Sequence, residues 1–412
     1  MSQATRILIA LALGLALGIA GAAAFGGGIA GVTLFVQPIG TLWLNALQMT
    51  VVPLVVALLV TGIAATAEAA RAGRIAARAL ILFLILLWSA SILAAGLTPL
   101  LLDFWPLPAQ SANALRTALV GAQPVGAIPP FSEFLSAIIP TNPIAAAATD
   151  NFLPLIVFTT IFGFAITRLP PEPRRLLTGF FQAIADAMLV IIGWVLWIAP
   201  IGVAALAFVV GVRAGTAAVG ALIHYIAIVS AVGIVVWLAS FPIGAIGGRM
   251  PLGRFIRATL PSQAVALSTQ SSLATLPAML RASETMGVPV AASGVVLPLA
   301  VALFRVTGPP MNLAVAIYIA YWFGVPLTPQ TLAAGVAVAA ITTLGAVSLP
   351  GQLSVISSIS PTALAMGVPI EPLALLVAVE TFPDLFRTLG NVTMDIAVTV
   401  TIAARSGSRP VR

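Results

Sequence analysis

The sequence has no cysteine and no lysine among its 412 residues, and it has a single histidine. The lack of cysteine excludes disulfides, thiol catalysis and cysteine-based metal sites. Charged residues make up 7% of the chain, whereas about 25% is usual for a soluble globular protein. No basic tract for nucleic acid and no nucleophile–base pair, metal cluster or phosphate-binding loop is present, so an enzyme is not expected. His224 lies in an apolar segment, which favours a buried structural role over a proton relay.

Hydrophobic residues make up 60% of the chain, and the mean hydropathy is +1.15. Apolar runs of membrane-spanning length recur from end to end, which predicts an all-α polytopic membrane protein. The stretch 103–143 is richer in Pro, Ser and Asn, and we expect it to be an extracellular excursion. Six segments are predicted to be ordinary spanning helices, at about 7–31, 40–66, 77–102, 144–168, 177–212 and 215–244.

The net charge of +7 comes from arginine alone. Most arginines lie in short segments between the apolar runs. The positive-inside rule places these segments, and both termini, on the cytoplasmic side of a bacterial-type inner membrane, with Arg116 and Arg213 opposite. The cytoplasmic set is Arg6, Arg71, Arg74, Arg78, Arg168, Arg174, Arg175, Arg249, Arg254, Arg257, Arg405, Arg409 and Arg412.

Three apolar segments in the second half are interrupted at their middle. Segment 252–286 is polar around residues 268–272, and segment 327–368 is rich in Gly and Pro around residues 344–351. Between them, 291–324 is interrupted by R-V-T-G-P-P from Arg305 onwards. Irregular backbone at membrane depth is tolerated only where it lines a cavity or is covered by protein. We therefore predict two re-entrant helical hairpins and a broken helix, a plan that resembles inverted-repeat transporters. Simple kinks are the alternative.

A polar stripe interrupts the last apolar segment, 372–404. At about 100° per residue, its six side chains fall within an arc of roughly 100° on one helix face. Charges in a spanning helix are costly, and they persist where they face a protein interior, pair with one another or bind something. The stripe therefore predicts a binding site for a charged solute. It consists of Glu380, Asp384, Arg387, Thr388, Asn391 and Asp395.

Several motifs resemble those of the glutamate/aspartate transporter family, the dicarboxylate/amino acid:cation symporters, over nearly the whole chain. The most specific match is D-L-F-R-T-L-G-N-V-T-M-D at 384–395, which is close to the family's D-x-x-R-T-x-x-N-x-x-x-D pattern. The hairpin tip T-Q-S-S at 269–272 is similar to the family's serine-rich tip. Shorter matches are M-T-V-V-P-L at 49–54, N-F-L-P at 151–154 and A-P-I-G-V at 199–203.

The resemblance implies a homotrimer whose protomers have eight spanning helices and two re-entrant hairpins. It also implies an elevator movement of a transport domain against a scaffold, with the second hairpin as extracellular gate. The implied scaffold comprises helices 1 and 2 at 1–76 and helices 4 and 5, after the excursion, within 103–212. The transport domain comprises helix 3 at 77–102 and the region 213–404, and 405–412 is a cytoplasmic tail. Region 213–404 contains helix 6, hairpin 1 (250–286), helix 7 (291–324), hairpin 2 (327–368) and helix 8 (371–404).

The same resemblance implies roles for the site residues. Arg387 would bind the side-chain carboxylate of an acidic substrate, because a guanidinium fork matches a carboxylate in geometry and charge. Asp384 would bind the amino group, Asn391 the α-carboxylate, and Thr388 would add a hydrogen bond. An internal pair of Arg387 with Glu380 or Asp384 is the alternative. Further expected substrate contacts are Gln270, Ser271, Ser272, Gly308, Leu349 and Leu353; for the serines, ordinary capping is the alternative.

Two sodium-binding motifs of the family are missing. The N-M-D-G-T motif of the seventh helix aligns with F-R-V-T-G at 304–308. The sodium-binding tyrosine and Thr-Ser pair of the third helix align with Phe83, Leu86 and Leu87. These apolar side chains offer no oxygen, whereas sodium needs several oxygens around it. Asn391 and Asp395 remain as residual sodium candidates.

Arg305 stands at the methionine position of the lost motif, and two interpretations are open. Its guanidinium replaces sodium as a tethered cation paired with Asp395, or the two residues form a structural salt bridge. On the first interpretation, transport couples to protons through Glu380, Asp384 or Asp395, or runs uncoupled. We therefore predict a secondary active symporter for aspartate or glutamate, with H⁺ as coupling ion and no cofactor. The alternatives are a sodium-coupled or C4-dicarboxylate symporter, or an anion channel or substrate sensor on this scaffold.

Overall fold

The computed structural model of the protein describes residues 3–71, 73–108, 112, 138–149, 151–344 and 352–405. At residues 4, 27, 30 and 352–357 the description covers the backbone alone. Every regular element in these ranges is a helix, so the predicted all-α class is confirmed. Most of the predicted excursion, 103–143, falls outside the described residues.

The helices follow one another along the chain with short connections. The described first half contains α1 (Gln3–Phe25), α2 (Ala30–Gln48), α3 (Val51–Arg71), α4 (Arg74–Phe104), α5 (Pro143–Ala148), α6 (Phe152–Arg168), α7 (Pro171–Trp197), α8 (Ala199–Ala214) and α9 (Ala217–Gly247). The described second half contains α10 (Leu252–Thr269), α11 (Ser272–Thr285), α12 (Val290–Leu303), α13 (Gly308–Phe323), α14 (Pro329–Thr343), α15 (Gln352–Ala365), α16 (Leu373–Leu376) and α17 (Thr381–Arg405).

The outward surfaces of these helices are apolar. Six stretches of the described residues are long and apolar enough to cross a bilayer, in α1, α2–α3, α4, α7, α9 and α12–α13. Phe35 on α2 and Phe104 at the end of α4 are 82% and 90% exposed. A chain whose outer surface carries this much apolar area is stable in lipid rather than in water. The protein is therefore a multi-pass membrane protein, as predicted.

Several predicted helices are divided in the structure, each beside a proline. Segment 40–66 is divided into α2 and α3 just before Pro53, and segment 144–168 into α5 and α6 just before Pro154. Segment 177–212, predicted as one helix, is divided into α7 and α8 just before Pro200. In segment 371–404, predicted as the eighth helix, the single turn α16 comes first and α17 starts only at Thr381. Pro383 has no N–H and its ring crowds the carbonyl four residues earlier, so the chain starts a new helix there.

The first interrupted segment forms a helical hairpin, in which α10 and α11 pack against each other. Gln270 ends α10 in the left-handed conformation, with φ 50°, and its N–H donates to the carbonyl of Ala266. Ser271 then caps α11, because its hydroxyl accepts a hydrogen bond from the N–H of Ala274. Helices α14 and α15 also pack against each other, but residues 345–351 between them lie outside the described part of the chain.

Helices α12 and α13 are separated by the non-helical residues 304–307, which overlap the predicted interruption at 305–310. Pro309 and Pro310 lie in the first turn of α13, where a missing N–H costs no helical hydrogen bond. Almost every residue of α13 is buried, because α4, α9, α14 and α15 pack around it. Helix α17 packs against α9, α10 and α12. The helix break therefore lies inside the protein, beside the polar helix.

Candidate functional site

The break between α12 and α13 contacts the middle of α17 through Thr307. The backbone N–H of Thr307 donates to Oδ1 of Asn391 at 3.0 Å, and its hydroxyl lies 2.8 Å from the same atom. Gly390 permits this approach, because a Cβ there would lie 2.4 Å from Cγ2 of Thr307. With Oδ1 of Asn391 engaged by Thr307, the amide NH₂ of Asn391 is the group left to donate to a ligand.

The guanidinium of Arg387 is engaged through all three of its nitrogens. Nη2 donates to Oε1 of Glu380 at 2.8 Å, and Nη1 donates to Oδ1 of Asn312 at 3.0 Å. Nε lies 3.8 Å from Oδ1 of Asp384. Because the Arg387 side chain is only 16% exposed, these charge-assisted contacts form with little competition from water. The internal pairing that the sequence left open is therefore present in this arrangement.

Glu380 lies in the turn before α17 and not on the helix, although the sequence pattern placed it on the same face. It is 1% exposed. Its Oε2 accepts a hydrogen bond from the hydroxyl of Tyr225 at 2.9 Å, and Tyr225 is fully buried on α9. The Glu380 carboxylate therefore bridges Arg387 and Tyr225, and so connects α9 with α17.

The rest of the polar stripe lies on α17. Asp384, Thr388, Asn391 and Asp395 are all buried there. The charge of Arg305 in the helix break interacts with those of Asp384, Arg387 and Asp395. Asp395 is fully buried, and neither of its carboxylate oxygens has a hydrogen-bond partner among the described residues. Arg305 and Asp395 therefore interact through space without a direct hydrogen bond.

Side chains at the positions that align with the family's sodium-binding motifs form an apolar cluster. The rings of Phe83 on α4 and Phe304 in the break stack with centroids 4.4 Å apart and planes 9° apart. Leu87 and Val306 are buried in the same hydrophobic cluster. The described residues also contain no group of three or more His, Cys, Asp or Glu side chains that could hold a metal ion. This region therefore presents carbon atoms where the family motifs would supply oxygens.

The tip of the α10–α11 hairpin lies next to the start of α17. Nε2 of Gln270 reaches the carbonyl of Thr381 at 3.5 Å, a long and weak contact. Ser271 serves as the cap of α11 described above, and Ser272 begins that helix. Gly308 begins α13 beside Thr343, to which a Cβ would come within 3.2 Å. Of the remaining expected contacts, Leu349 and the side chain of Leu353 lie outside the described residues.

Three site residues were not predicted from the sequence. Thr307 holds Asn391, Asn312 bonds Arg387, and Tyr225 bonds Glu380. Asn312 carried a usable signal, because an amide in an apolar, membrane-spanning segment is rare and needs a polar partner. Tyr225 carried none, since a tyrosine in an apolar helix is as often packed for its ring as for its hydroxyl.

These features define a class of protein: a multi-pass helical membrane protein with a buried charged site where a broken helix meets a polar helix, as in secondary transporters. The chain belongs to the sodium:dicarboxylate symporter family, whose model matches residues 4–405. It is 28% identical to the proton/glutamate-aspartate symporter of Escherichia coli K12 over 89% of this chain and 84% of the relative.

Two further relatives are similar over most of their length. The proton/sodium-glutamate symport protein of Bacillus subtilis 168 is 27% identical over 98% of this chain and 92% of its own. The C4-dicarboxylate transport protein 2 of Ralstonia nicotianae is 30% identical over 97% of this chain and 88% of its own. These proteins share a family with the chain but differ in the substrate and ion that their names state.

Proposed function

We propose that the chain is a secondary active symporter for an acidic amino acid, aspartate or glutamate, coupled to protons. The observation that carries the proposal is the convergence of Arg387, Asp384 and the amide of Asn391 on one buried face of α17. A guanidinium and an amide donor suit two carboxylates, and a carboxylate suits an ammonium group. This set of groups therefore offers a partner to each of the three charged groups of an acidic amino acid.

Asp384 favours the binding of an amino acid over that of a dicarboxylate without an ammonium group. The carboxylate is buried and lies 3.8 Å from Arg387, so a substrate without an ammonium group would bring further negative charge against it. Two like charges about 4 Å apart repel by about 4 kcal/mol at an effective dielectric constant of about 20. A C4-dicarboxylate remains the second candidate, because one relative with 30% identity carries that name.

The charge balance of the site supports cation coupling. The site contains three carboxyl groups, those of Glu380, Asp384 and Asp395, and two guanidinium groups, those of Arg305 and Arg387. An acidic amino acid brings one more net negative charge into a buried region. Unbalanced buried charge is expensive, so uptake of a cation with the substrate is favoured.

The proton is the better candidate for that cation. Sodium needs several oxygens, whereas Phe83 and Phe304 stack where family motifs would supply them. The side-chain oxygen of Asn391 is taken by Thr307, which leaves Asp395 and main-chain carbonyls. Arg305 acts as a tethered cation in this proposal: it reduces the negative charge that sodium would otherwise offset.

The proposal includes the architecture of an elevator transporter. The protein forms a homotrimer in a bacterial-type inner membrane with both termini cytoplasmic. The two helical pairs, α10–α11 and α14–α15, enter the membrane and return, and the second gates the site. The transport domain carries α17 and the α12–α13 break together across the membrane. Close packing of α17 on α9, α10 and α12 supports their movement as one body.

A binding assay tests the substrate assignment. Purified protein is titrated with aspartate, glutamate, succinate and serine by calorimetry, beside Arg387→Ala and the control Arg281→Ala, an exposed arginine on α11. Arg387→Ala is expected to weaken aspartate binding by about 30-fold or more, the usual effect of removing one partner of a buried charge pair. Arg281→Ala is expected to change nothing. Unchanged affinity in Arg387→Ala, or preference for succinate, would contradict the assignment.

A further inference from the structure

The atoms through which Arg387 bonds Glu380 restrict how a substrate can bind. A carboxylate binds a guanidinium bidentately through Nη1 and Nη2 or through Nε and Nη2, so both geometries use Nη2. In this protein Nη2 is bonded to Glu380 at 2.8 Å. Nη1 is bonded to the neutral Asn312, and Asp384 lies farther from Nε, at 3.8 Å. Nη2 has two N–H groups, so a substrate carboxylate in either bidentate position shares this nitrogen with Glu380. Repulsion between the two carboxylates on one nitrogen favours displacement of Glu380.

A displaced Glu380 would keep its second partner. Oε2 accepts from the hydroxyl of Tyr225 at 2.9 Å, and both residues are almost fully buried. The loss of Arg387 would leave a buried carboxylate with one neutral donor. A carboxyl group in that position is far less costly when it is protonated.

The titratable groups around Glu380 lie on α9, α13, α17 and the helix break. On α9, His224 lies 3.0 Å from the hydroxyl of Tyr318 and 2.7 Å from the carbonyl of Trp105. On α13, Tyr318 donates to the carbonyl of Ala221. On the remaining neighbouring elements, α17 supplies Arg387 and Asp384, and the helix break supplies Arg305, whose charge interacts with both.

We propose that Glu380 is an internal competitor of the substrate, positioned by Tyr225, and that it takes up the coupled proton when substrate displaces it from Arg387. The inference rests on the proposed function, because it names the proton-binding group of that site. The balance is simple: one ion pair between Glu380 and Arg387 breaks, one between the substrate carboxylate and Arg387 forms, and one proton from solvent joins the Glu380 carboxylate. Asp384 remains ionised and available to the ammonium group of the substrate.

Calorimetric titration of aspartate in buffers of different ionisation enthalpy measures the protons taken up per substrate. The wild-type protein is expected to take up about one proton at Glu380, and its dissociation constant to rise by up to tenfold per pH unit above neutrality. Glu380→Gln is expected to take up one proton fewer and to bind aspartate at least about tenfold more tightly at pH 8, since the competing charge is gone. The matched control is Glu371→Gln, a partly buried glutamate in the segment before α16, which is expected to retain wild-type proton uptake.

Tyr225→Phe tests whether Tyr225 positions Glu380. This variant keeps the proposal testable even if Glu380→Gln fails to fold. It removes one hydroxyl and leaves every charge in place. The Tyr225 hydroxyl stabilises the ionised Glu380 of the competing state more than the protonated Glu380 of the displaced state, so aspartate binding is expected to tighten about threefold to thirtyfold with proton uptake unchanged. Weaker binding, as a merely structural hydrogen bond would give, overturns the positioning role.

The outcomes separate this inference from the function on which it rests. Equal proton uptake in wild type and Glu380→Gln overturns the inference, as does aspartate binding by the wild type without any proton uptake. Both results leave acidic amino-acid binding standing. A wild-type protein that binds no acidic amino acid contradicts the proposed function itself.

Discussion

Arg305 is the residue to which the proposed mechanism gives the largest role in ion coupling. It is the arginine of the helix break, and its charge interacts with those of Asp384, Arg387 and Asp395. A guanidinium cannot lose its proton under physiological conditions, so it supplies a permanent positive charge. In the proposed mechanism it does for the site what a bound cation would do, and its removal tests that role.

Arg305→Met replaces the charge by a side chain of similar length. Because the site then has one positive charge fewer before an anionic substrate enters, aspartate binding in sodium-free buffer is expected to weaken about 10- to 100-fold. The measurement is calorimetric affinity together with the thermal midpoint, with Arg281→Met as the exposed control. A lower thermal midpoint with unchanged affinity would favour a purely structural Arg305.

Residues of the site that share one helix could be predicted from the sequence, and their distant partners could not. Asp384, Arg387 and Asn391 lie within eight positions on α17, where helical spacing alone predicts a common face. Tyr225 and Asn312 lie 155 and 75 positions away from the residues they bond. Such contacts depend on how helices pack, which a single sequence does not specify.

At the scale of the elements, Gly390 allows α17 to lie against the break between α12 and α13. Gly390→Ala would bring a Cβ within 2.4 Å of Cγ2 of Thr307, so the helix or the break has to move. Overpacking of this kind costs about 1–3 kcal/mol, and it also disturbs the two contacts of Thr307 with Asn391. We expect a lower thermal midpoint and weaker aspartate binding.

Gly294→Ala is the matched control for that prediction. Gly294 lies in α12, and a Cβ there would meet nothing within 4 Å. The substitution is expected to leave affinity unchanged and to stabilise the helix slightly, because alanine is the better helix former by about 1 kcal/mol. Equal effects of the two substitutions would contradict the role assigned to the close approach at Gly390.

Prolines explain why some helix boundaries were predicted correctly from the sequence and others were not. The interruption at 305–310 and the hairpin tip at 268–272 were predicted from Gly, Pro and polar clusters inside apolar runs. The start of α17 at Thr381 was not, because a proline inside a helical pattern sometimes bends a helix and sometimes starts one. Pro242 lies within α9 without dividing it, whereas Pro383 stands in the first turn of α17.

At the scale of the whole molecule, the absence of cysteine permits a direct test of topology. Single cysteines at Glu172, at the start of α7, and at Thr216, between α8 and α9, both occupy exposed positions. With both termini cytoplasmic, a membrane-impermeant maleimide is expected to label the first only from inside and the second only from outside. Labelling of both from the same side would contradict the predicted arrangement.

The multi-pass class followed from composition alone, because 60% hydrophobic and 7% charged residues fit no soluble protein. The family followed from motifs and is shown by a match across residues 4–405. The coupling ion does not follow from either, since relatives of similar identity are named for protons and for sodium. In our proposal it depends on a few oxygens that the family motifs supply at the positions of Phe83, Phe304 and Val306, where the side chains of this chain are apolar.

Uptake of radiolabelled aspartate into proteoliposomes, driven by separate proton and sodium gradients, tests the central claim most directly. We expect accumulation above equilibrium under an inward proton gradient in sodium-free buffer, and no accumulation when a proton ionophore dissipates that gradient. Accumulation that requires sodium steeply and ignores the proton gradient would contradict the account.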